Sequence, residues 1–166
     1  MKKFVALLGA ASIAASSLVG CTPKPVSARP VAEQFLEDME TRNNEDLAQL
    51  VDDSTTATNT LDATFAGLQA EGLDVELTDV EQEEAKATAH YSVTWALPRN
   101  RSLRYDTSMA LTRKDKDWTV RWQPSIIHPD LGAHQHLELR SIAPKRAGVV
   151  SSDGVELMSP GLQYRL

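Results

Sequence analysis

The hydrophobic pattern of the chain changes its period at Gly72, and this change most strongly limits the folds open to it. Before Gly72, apolar residues recur every three to four positions, which is typical of amphipathic helices. After Gly72 they alternate with polar residues, which is typical of strands with one buried face. The sequence therefore predicts an α+β fold in which helices precede an antiparallel meander.

Three helices are predicted before the change of period. The first follows Pro30, which suits a first helical turn, and is expected to stop at Asn43–Asn44. The second covers about Glu45 to Val51, and the third runs from the capping residues Asp53-Ser54 to Gly72. The apolar stripes of the three helices are Val31, Phe35, Leu36 and Met39; Leu47, Leu50 and Val51; and Leu61, Phe65 and Leu68.

Four strands are predicted after the change of period at Gly72. Val75 and Leu77 open the first, Val80 falls out of phase with them, and Glu81–Glu84 is expected to be a solvated acidic turn rather than a cation or partner site. The other three strands are separated by turns at Pro98–Arg101 and Lys114–Asp117. Their inward series are Ala87, Ala89, Tyr91, Val93, Trp95 and Leu97; Leu103, Tyr105, Thr107, Met109 and Leu111; and Trp118, Val120 and Trp122. The helices are expected to cover the concave face of this sheet.

The N-terminal segment has the pattern of a secretory signal. Two lysines precede a small-residue-rich apolar run, and Leu18-Val-Gly-Cys21 follows it. The tetrad looks like a bacterial lipobox, so residues 1–20 are interpreted as a lipoprotein signal peptide and Cys21 as the lipidated residue. Residues 21–30, rich in proline, are expected to form a tether. The alternative is that Cys21 is incidental within an uncleaved signal anchor.

Charge and cysteine content narrow the class of partner. The formal net charge is -6, and removal of Lys2 and Lys3 with the signal peptide leaves -8. This acidic balance argues against nucleic acid and against an electrostatic grip on anionic lipid. The single cysteine excludes an intrachain disulfide. The expected membrane partner is therefore reached through the lipid anchor, which places the domain on the extracytoplasmic face of the cell membrane.

Two motifs near the C-terminus carry a family resemblance. The strand at Trp118 continues into a W-x-P-S-I-I-H-P segment, and Arg146-Ala-Gly-Val-Val-Ser-Ser-Asp-Gly154 follows. This order resembles the N-terminal part of class B penicillin-binding proteins, in which an NTF2-like domain of the MecA N-terminal type precedes the transpeptidase. Ser151-Ser152 depart from the Asp-Arg pair of the family pattern.

The resemblance implies an NTF2-like cone over residues 31–140, made of three helices packed on a curved antiparallel sheet. It also implies that residues 141–166 begin a linker segment, truncated or loosely ordered. The residues expected to have structural roles are Trp118, Trp122, Pro124, His128, Pro129, Arg146, Asp153 and Gly154.

Catalytic groups of the family are absent from this sequence. No serine has a lysine three positions later, and no Lys-Thr-Gly element occurs. Full-length members are penicillin-binding D,D-transpeptidases, whereas this chain is expected to be a non-enzymatic spacer or docking module in peptidoglycan synthesis. Peptidoglycan or cell-wall synthesis proteins are the expected partners, and the chain is either a fragment or free-standing. The alternative is a free-standing lipoprotein that binds a small ligand or peptide in its cone.

A metal site and a catalytic pocket are two further kinds of site that the sequence could carry. His128, His134 and His136 suggest a metal site, because histidines two positions apart, such as His134 and His136, can bind a metal from a strand. Zinc also needs a third ligand and hydrogen-bonded groups that orient the ligands, so no metal and no cofactor are predicted. Tyr91, Trp95, Tyr105 and Trp118 lie in the apolar series of the strands. They are therefore expected to be core residues rather than catalytic ones.

Overall fold

The computed structural model describes residues 26–143 and 148–158. Its helices are α1 (Arg29–Thr41), α2 (Asn44–Leu50), α3 (Ser54–Leu68) and a short 3-10 helix (Pro124–Ile126). The strands are β1 (Gly72–Glu83), β2 (Lys86–Leu97), β3 (Arg101–Lys114), β4 (Asp117–Arg121), β5 (Val149–Val150) and β6 (Glu156–Met158). The first four strands form one antiparallel sheet in the order β1-β2-β3-β4, and β5 pairs with β6. The predicted α+β class is confirmed.

Helix ends differ from the predicted ones because two residues adopt left-handed backbone. Helix α1 ends one turn before Asn44, with Arg42 at φ 60°, and Asn43 instead caps α2 by accepting a hydrogen bond from the Asp46 amide. Helix α3 ends at Leu68 rather than Gly72, because Gln69 takes the left-handed cap position. Asp53 caps α3 as predicted, and its hydrogen bond with Thr56 lowers the pKa of Asp53.

A bulge in β1 explains why Val80 is out of phase with Val75 and Leu77. The pairing register with β2 shifts between Leu77 and Asp79, so Val80 pairs with the inward-facing Ala89. The predicted acidic turn at Glu81–Glu84 is wrong, because the strand continues to Glu83. The bulge also brings Gln82 onto the inner face of the sheet, opposite Ala87.

Strands β2 and β3 form the centre of the sheet and carry most of its buried surface. Burial alternates along β2 as predicted, with Tyr91, Val93 and Trp95 each 1% exposed. The inward series of β3 pairs with the inward series of β2. These side chains form one core with the apolar stripes of α1, α2 and α3. The helices therefore pack on a single face of the sheet, and β2 and β3 present mostly polar side chains on the other, among them Ser92 and Arg104.

The N-terminal part of the described chain is held against this core. Helix α1 begins at Arg29, and Ala28 just before it is fully buried. The segment that follows β4 also returns to the helices, because the Leu139 amide donates to the Gly67 carbonyl of α3 at 2.9 Å. None of the helices in residues 26–143 and 148–158 is long and apolar enough to cross a membrane.

Candidate functional site

The W-x-P-S-I-I-H-P segment folds into a turn that covers the open side of the core, and we call residues Pro124–Ile127 the closing turn. Pro124 occupies the first turn of the 3-10 helix, where its missing amide costs no hydrogen bond. Ile126 and Ile127 are each 1% exposed and join the core. Two buried apolar side chains thus hold the closing turn against the core, and its carbonyl groups face the sheet.

Three hydroxyl groups of the sheet donate to three consecutive carbonyl groups of the closing turn. Thr107 of β3 donates to the Ser125 carbonyl at 2.7 Å, and Tyr91 of β2 donates to that of Ile126 at 2.7 Å. Tyr105 of β3 donates to the carbonyl of Ile127 at 2.5 Å. A carbonyl or hydroxyl group that is buried without a hydrogen-bond partner lowers the free energy of unfolding. These three bonds therefore stabilise both the closing turn and the sheet.

The Tyr105 hydroxyl also joins the closing turn to helix α3. Trp95 donates its indole N–H to the Tyr105 oxygen at 2.7 Å, and its ring meets Phe65 edge-on at 4.9 Å between centroids. Burial raises the pKa of Tyr105 to about 12, against the opposing effect of the Trp95 hydrogen bond. Burial, with a smaller repulsive contribution from Tyr105, raises the pKa of Tyr91 well above its usual value.

His128 and Pro129 follow the closing turn. The His128 ring packs edge-on against Tyr105 at 4.4 Å, and its Nδ1 accepts a hydrogen bond from the Asp130 amide at 3.2 Å. Pro129 is exposed. Trp122 lies just beyond β4, half-buried, with its indole nitrogen buried and without a hydrogen-bond partner among the described residues. Its backbone amide donates to Asp52 at 2.7 Å.

Trp118 is buried at the other end of the sheet, where it holds the N-terminal segment. Its indole N–H donates to the Val26 carbonyl at 3.0 Å, and the Gln82 amide group donates to the same oxygen at 3.1 Å. The Gln82 side-chain oxygen accepts from the Ala28 amide at 2.8 Å. We call these three contacts among Val26, Ala28, Gln82 and Trp118 the N-terminal clamp.

The remaining predicted site residues lie apart from this core. Asp153 and Gly154 form the turn of the β5–β6 hairpin, where Gly154 has φ 84°. Ser151 donates to the Asp153 carboxylate, which lowers the pKa of Asp153, and the Val155 amide donates to Ser151 at 3.1 Å. Cys21 and Arg146 are outside the described residues.

The other two histidines of the suggested metal site, His134 and His136, line a polar groove against α3. His134, with φ 61°, and His136 border it with Gln135 and the helix residues Thr56, Asn59, Thr60 and Ala63; its volume is about 300 Å³. No group of three or more His, Cys, Asp or Glu side chains suited to a metal occurs within residues 26–143 and 148–158.

Chemically, the inner wall of the domain is built for packing. The polar atoms of Tyr91, Trp95 and Tyr105 all have protein partners, and the rings fill the space beneath the closing turn. Sequence reasoning missed Gln82 and Thr107 as contact residues. Thr107 could have been found from the sequence, because it is a polar residue among the inward-facing positions of β3. Gln82 could not, because it faces inward only as a result of the β1 bulge.

We expect Tyr105→Phe to destabilise the domain more than Tyr91→Phe. The first change leaves both the Ile127 carbonyl and the Trp95 N–H without partners, and the second leaves only the Ile126 carbonyl. The expected losses in free energy of unfolding are about 2–4 and about 1–2 kcal/mol. Urea unfolding followed by tryptophan fluorescence measures both. Equal losses would show that the Trp95 contact contributes nothing.

We also expect the domain to lose stability as the pH rises above 10. The pKa of Tyr105 in the folded domain, about 12, lies above the ordinary tyrosine pKa of 10.0, so the stability that Tyr105 contributes is complete below pH 10 and is lost as the pH rises towards 12. The Tyr105 contribution is about 2–3 kcal/mol. The Tyr105→Phe variant, less stable at neutral pH, should lose less stability between pH 10 and 12. Parallel curves for the two proteins would contradict this assignment.

Comparisons with known proteins bear on the fold and the family. The family model of the NTF2-like N-terminal transpeptidase domain (MecA_N) matches residues 27–135, and a search of curated proteins found no match. A Campylobacter jejuni protein described as an NTF2-like transpeptidase is 13% identical, with 57% of this chain and 97% of that chain covered and a TM-score of 0.37.

Two further solved structures are similar at comparably low sequence identity. A SnoaL-like polyketide cyclase from Agrobacterium tumefaciens is 11% identical over 59% of this chain and 89% of that chain, with a TM-score of 0.46. A protein named Rd1NTF2_04 with long sheet is 12% identical over 57% and 98%, with a TM-score of 0.48. The family assignment rests on the match to residues 27–135, which include β1–β4 and the closing turn. The chain therefore belongs to the family of NTF2-like N-terminal transpeptidase domains.

Proposed function

We propose that this chain is a lipid-anchored, extracytoplasmic domain that acts as a spacer or docking module in peptidoglycan synthesis. The proposal combines the family assignment with the lipobox-like tetrad ending in Cys21. Membrane attachment would come from the acyl chains on Cys21, since two chains suffice for stable anchoring. The domain itself would carry out no acyl transfer.

The observation that carries the spacer role is the N-terminal clamp. Val26 is held by Trp118 and Gln82 only five residues after Cys21. Five residues span at most about 18 Å when fully extended. A lipid on Cys21 would therefore keep the clamped end of the sheet close to the membrane surface, without a long flexible connection between anchor and domain.

The length of the strands then determines how far the opposite end of the sheet lies from the membrane. Gln82 lies opposite Ala87 near the start of β2, and β2 ends at Leu97. Ten residues of strand extend about 33 Å. The β2–β3 turn would thus be the part of the domain carried farthest from the membrane, which suits a module that raises a partner or an attached domain above the surface.

A ligand-binding cone is the alternative function, and the closing turn argues against it. A ligand beneath the turn would have to break the three hydroxyl–carbonyl bonds and displace Ile126 and Ile127 from the core. Each bond that opens without replacement leaves a buried polar group unpaired. The spacer role requires no such opening.

We expect the wild-type chain to incorporate an alkyne-palmitate label in a bacterial host and to fractionate with membranes. Cys21→Ser should lose both properties, because the thiol is the proposed acylation site. Ser16→Ala, within the apolar run but away from the thiol, is the matched control and should keep both. Membrane retention of the Cys21→Ser protein would show instead that an uncleaved signal segment holds it.

We further expect the β3–β4 turn to lie nearer the membrane than the β2–β3 turn. Asp115→Cys and Asn100→Cys are matched variants, since both residues are exposed turn positions with φ 57° and 54°. With Cys21 acylated, the introduced thiol is the only free one. Each variant carries a fluorophore in vesicles that contain an acceptor-labelled lipid. Energy transfer should be stronger from position 115, and equal or reversed transfer would contradict the proposed orientation.

A further inference from the structure

A small pocket at the β2–β3 turn gathers three arginine side chains. Its volume is about 250 Å³, and Arg99 of the turn and Arg101 at the start of β3 line it with Arg140 from the segment that contacts α3. Pro98, Leu139 and Gln69 complete most of its wall. We call it the distal pocket, because it lies at the end of the sheet opposite the N-terminal clamp.

The charge of the distal pocket is opposite to that of the chain as a whole, which is -6. Arg140 is paired with Glu138 at 2.9 Å. Within residues 26–143 and 148–158, Arg99 and Arg101 have no carboxylate within 4.0 Å, although Arg101 donates its Nε–H to the Pro98 carbonyl at 2.9 Å. That bond leaves the outer nitrogens of the Arg101 guanidinium available for a ligand.

The backbone of the turn places Arg99 where arginine is disfavoured. Arg99 and Asn100 have φ 67° and 54°, the consecutive left-handed conformations of a tight hairpin turn in which glycine, asparagine and aspartate are preferred. Asn100 fits this preference and Arg99 does not. The conformation directs a long cationic side chain to the same concavity as Arg101 and Arg140.

We propose that the distal pocket binds a carboxylate group of a peptide. Guanidinium groups pair with carboxylates through two parallel hydrogen bonds, and two of the three here are free for such a pair. The half-buried Pro98 and Leu139 add an apolar wall that suits the aliphatic part of a peptide residue better than a bare inorganic anion. Since the guanidinium groups are exposed, the binding is expected to be weak and sensitive to salt.

The test is fluorescence polarisation of a labelled Glu-Leu-Glu peptide with the purified full chain in detergent micelles. Arg99→Glu/Arg101→Glu should weaken binding at least tenfold. Arg104→Glu reverses one arginine charge at an exposed position of β3 whose cross-strand partner, Thr94, faces away from the core; binding should change less than twofold. A Gln-Leu-Gln amide probe should bind at least tenfold more weakly than the acidic one.

Several outcomes would overturn the proposal. These are equal binding of the acidic and amide probes, equal weakening by the Arg104→Glu control, and tighter binding of a phosphoserine peptide than of the Glu-Leu-Glu probe. If the double charge reversal fails to fold, as judged by circular dichroism, Arg99→Gln/Arg101→Gln replaces it, with the same expected loss. No bilayer is present in this assay, so its result is independent of the proposed anchoring at Cys21.

Discussion

The rest of this structure depends on the hydrogen bonds between the closing turn and the sheet. In these bonds, buried hydroxyl groups of β2 and β3 donate to carbonyl groups of the closing turn. Tyr91, Tyr105 and Thr107 need acceptors because they face the core, and residues 125–127 need donors because their turn makes few backbone bonds of its own. Each set removes the desolvation penalty of the other. With the turn in place, Ile126 and Ile127 complete the apolar core beneath it.

The β1 bulge has an effect at the opposite end of the domain. By shifting the register after Leu77, it brings Gln82 to the inner face, where its amide group contacts both Val26 and Ala28. Trp118, which the sequence motif marks as a core residue, adds the second donor to Val26. The register shift between Leu77 and Asp79 of this edge strand thus determines where the N-terminal segment enters the domain, and the proposed spacer role is argued from this entry point.

The two ends of the sheet have different chemistry. The clamped end is built from an amide and an indole that hold the backbone, whereas the distal end gathers guanidinium groups around a small concavity. Strand β2 runs between the two ends and pairs with β1 and β3 along almost its whole length; the only irregularity in this pairing is the bulge in β1. An extended, well-paired sheet of this kind is rigid, as the proposed role of a spacer between a membrane anchor and a partner requires.

Much of the fold follows from the sequence by itself, because periodicity depends only on which side chains are apolar. The alternation along β2 predicts its burial residue by residue, Asp53 predicts its own cap, and the helices-then-meander order predicts the α+β class. The W-x-P-S-I-I-H-P segment indicates the family that the match to residues 27–135 supports. These features are local in the chain or are carried by a contiguous motif.

Only the tertiary structure decided the features that join distant residues. Gln82 meets Val26 across 56 positions and Tyr91 meets Ile126 across 35, and no local pattern encodes either pair. The ends of α1 and α3 depended on left-handed caps at Arg42 and Gln69, residue types that seldom adopt that conformation. The distal pocket combines a turn with a segment forty residues later in the chain, so its charge appears only when the chain is folded.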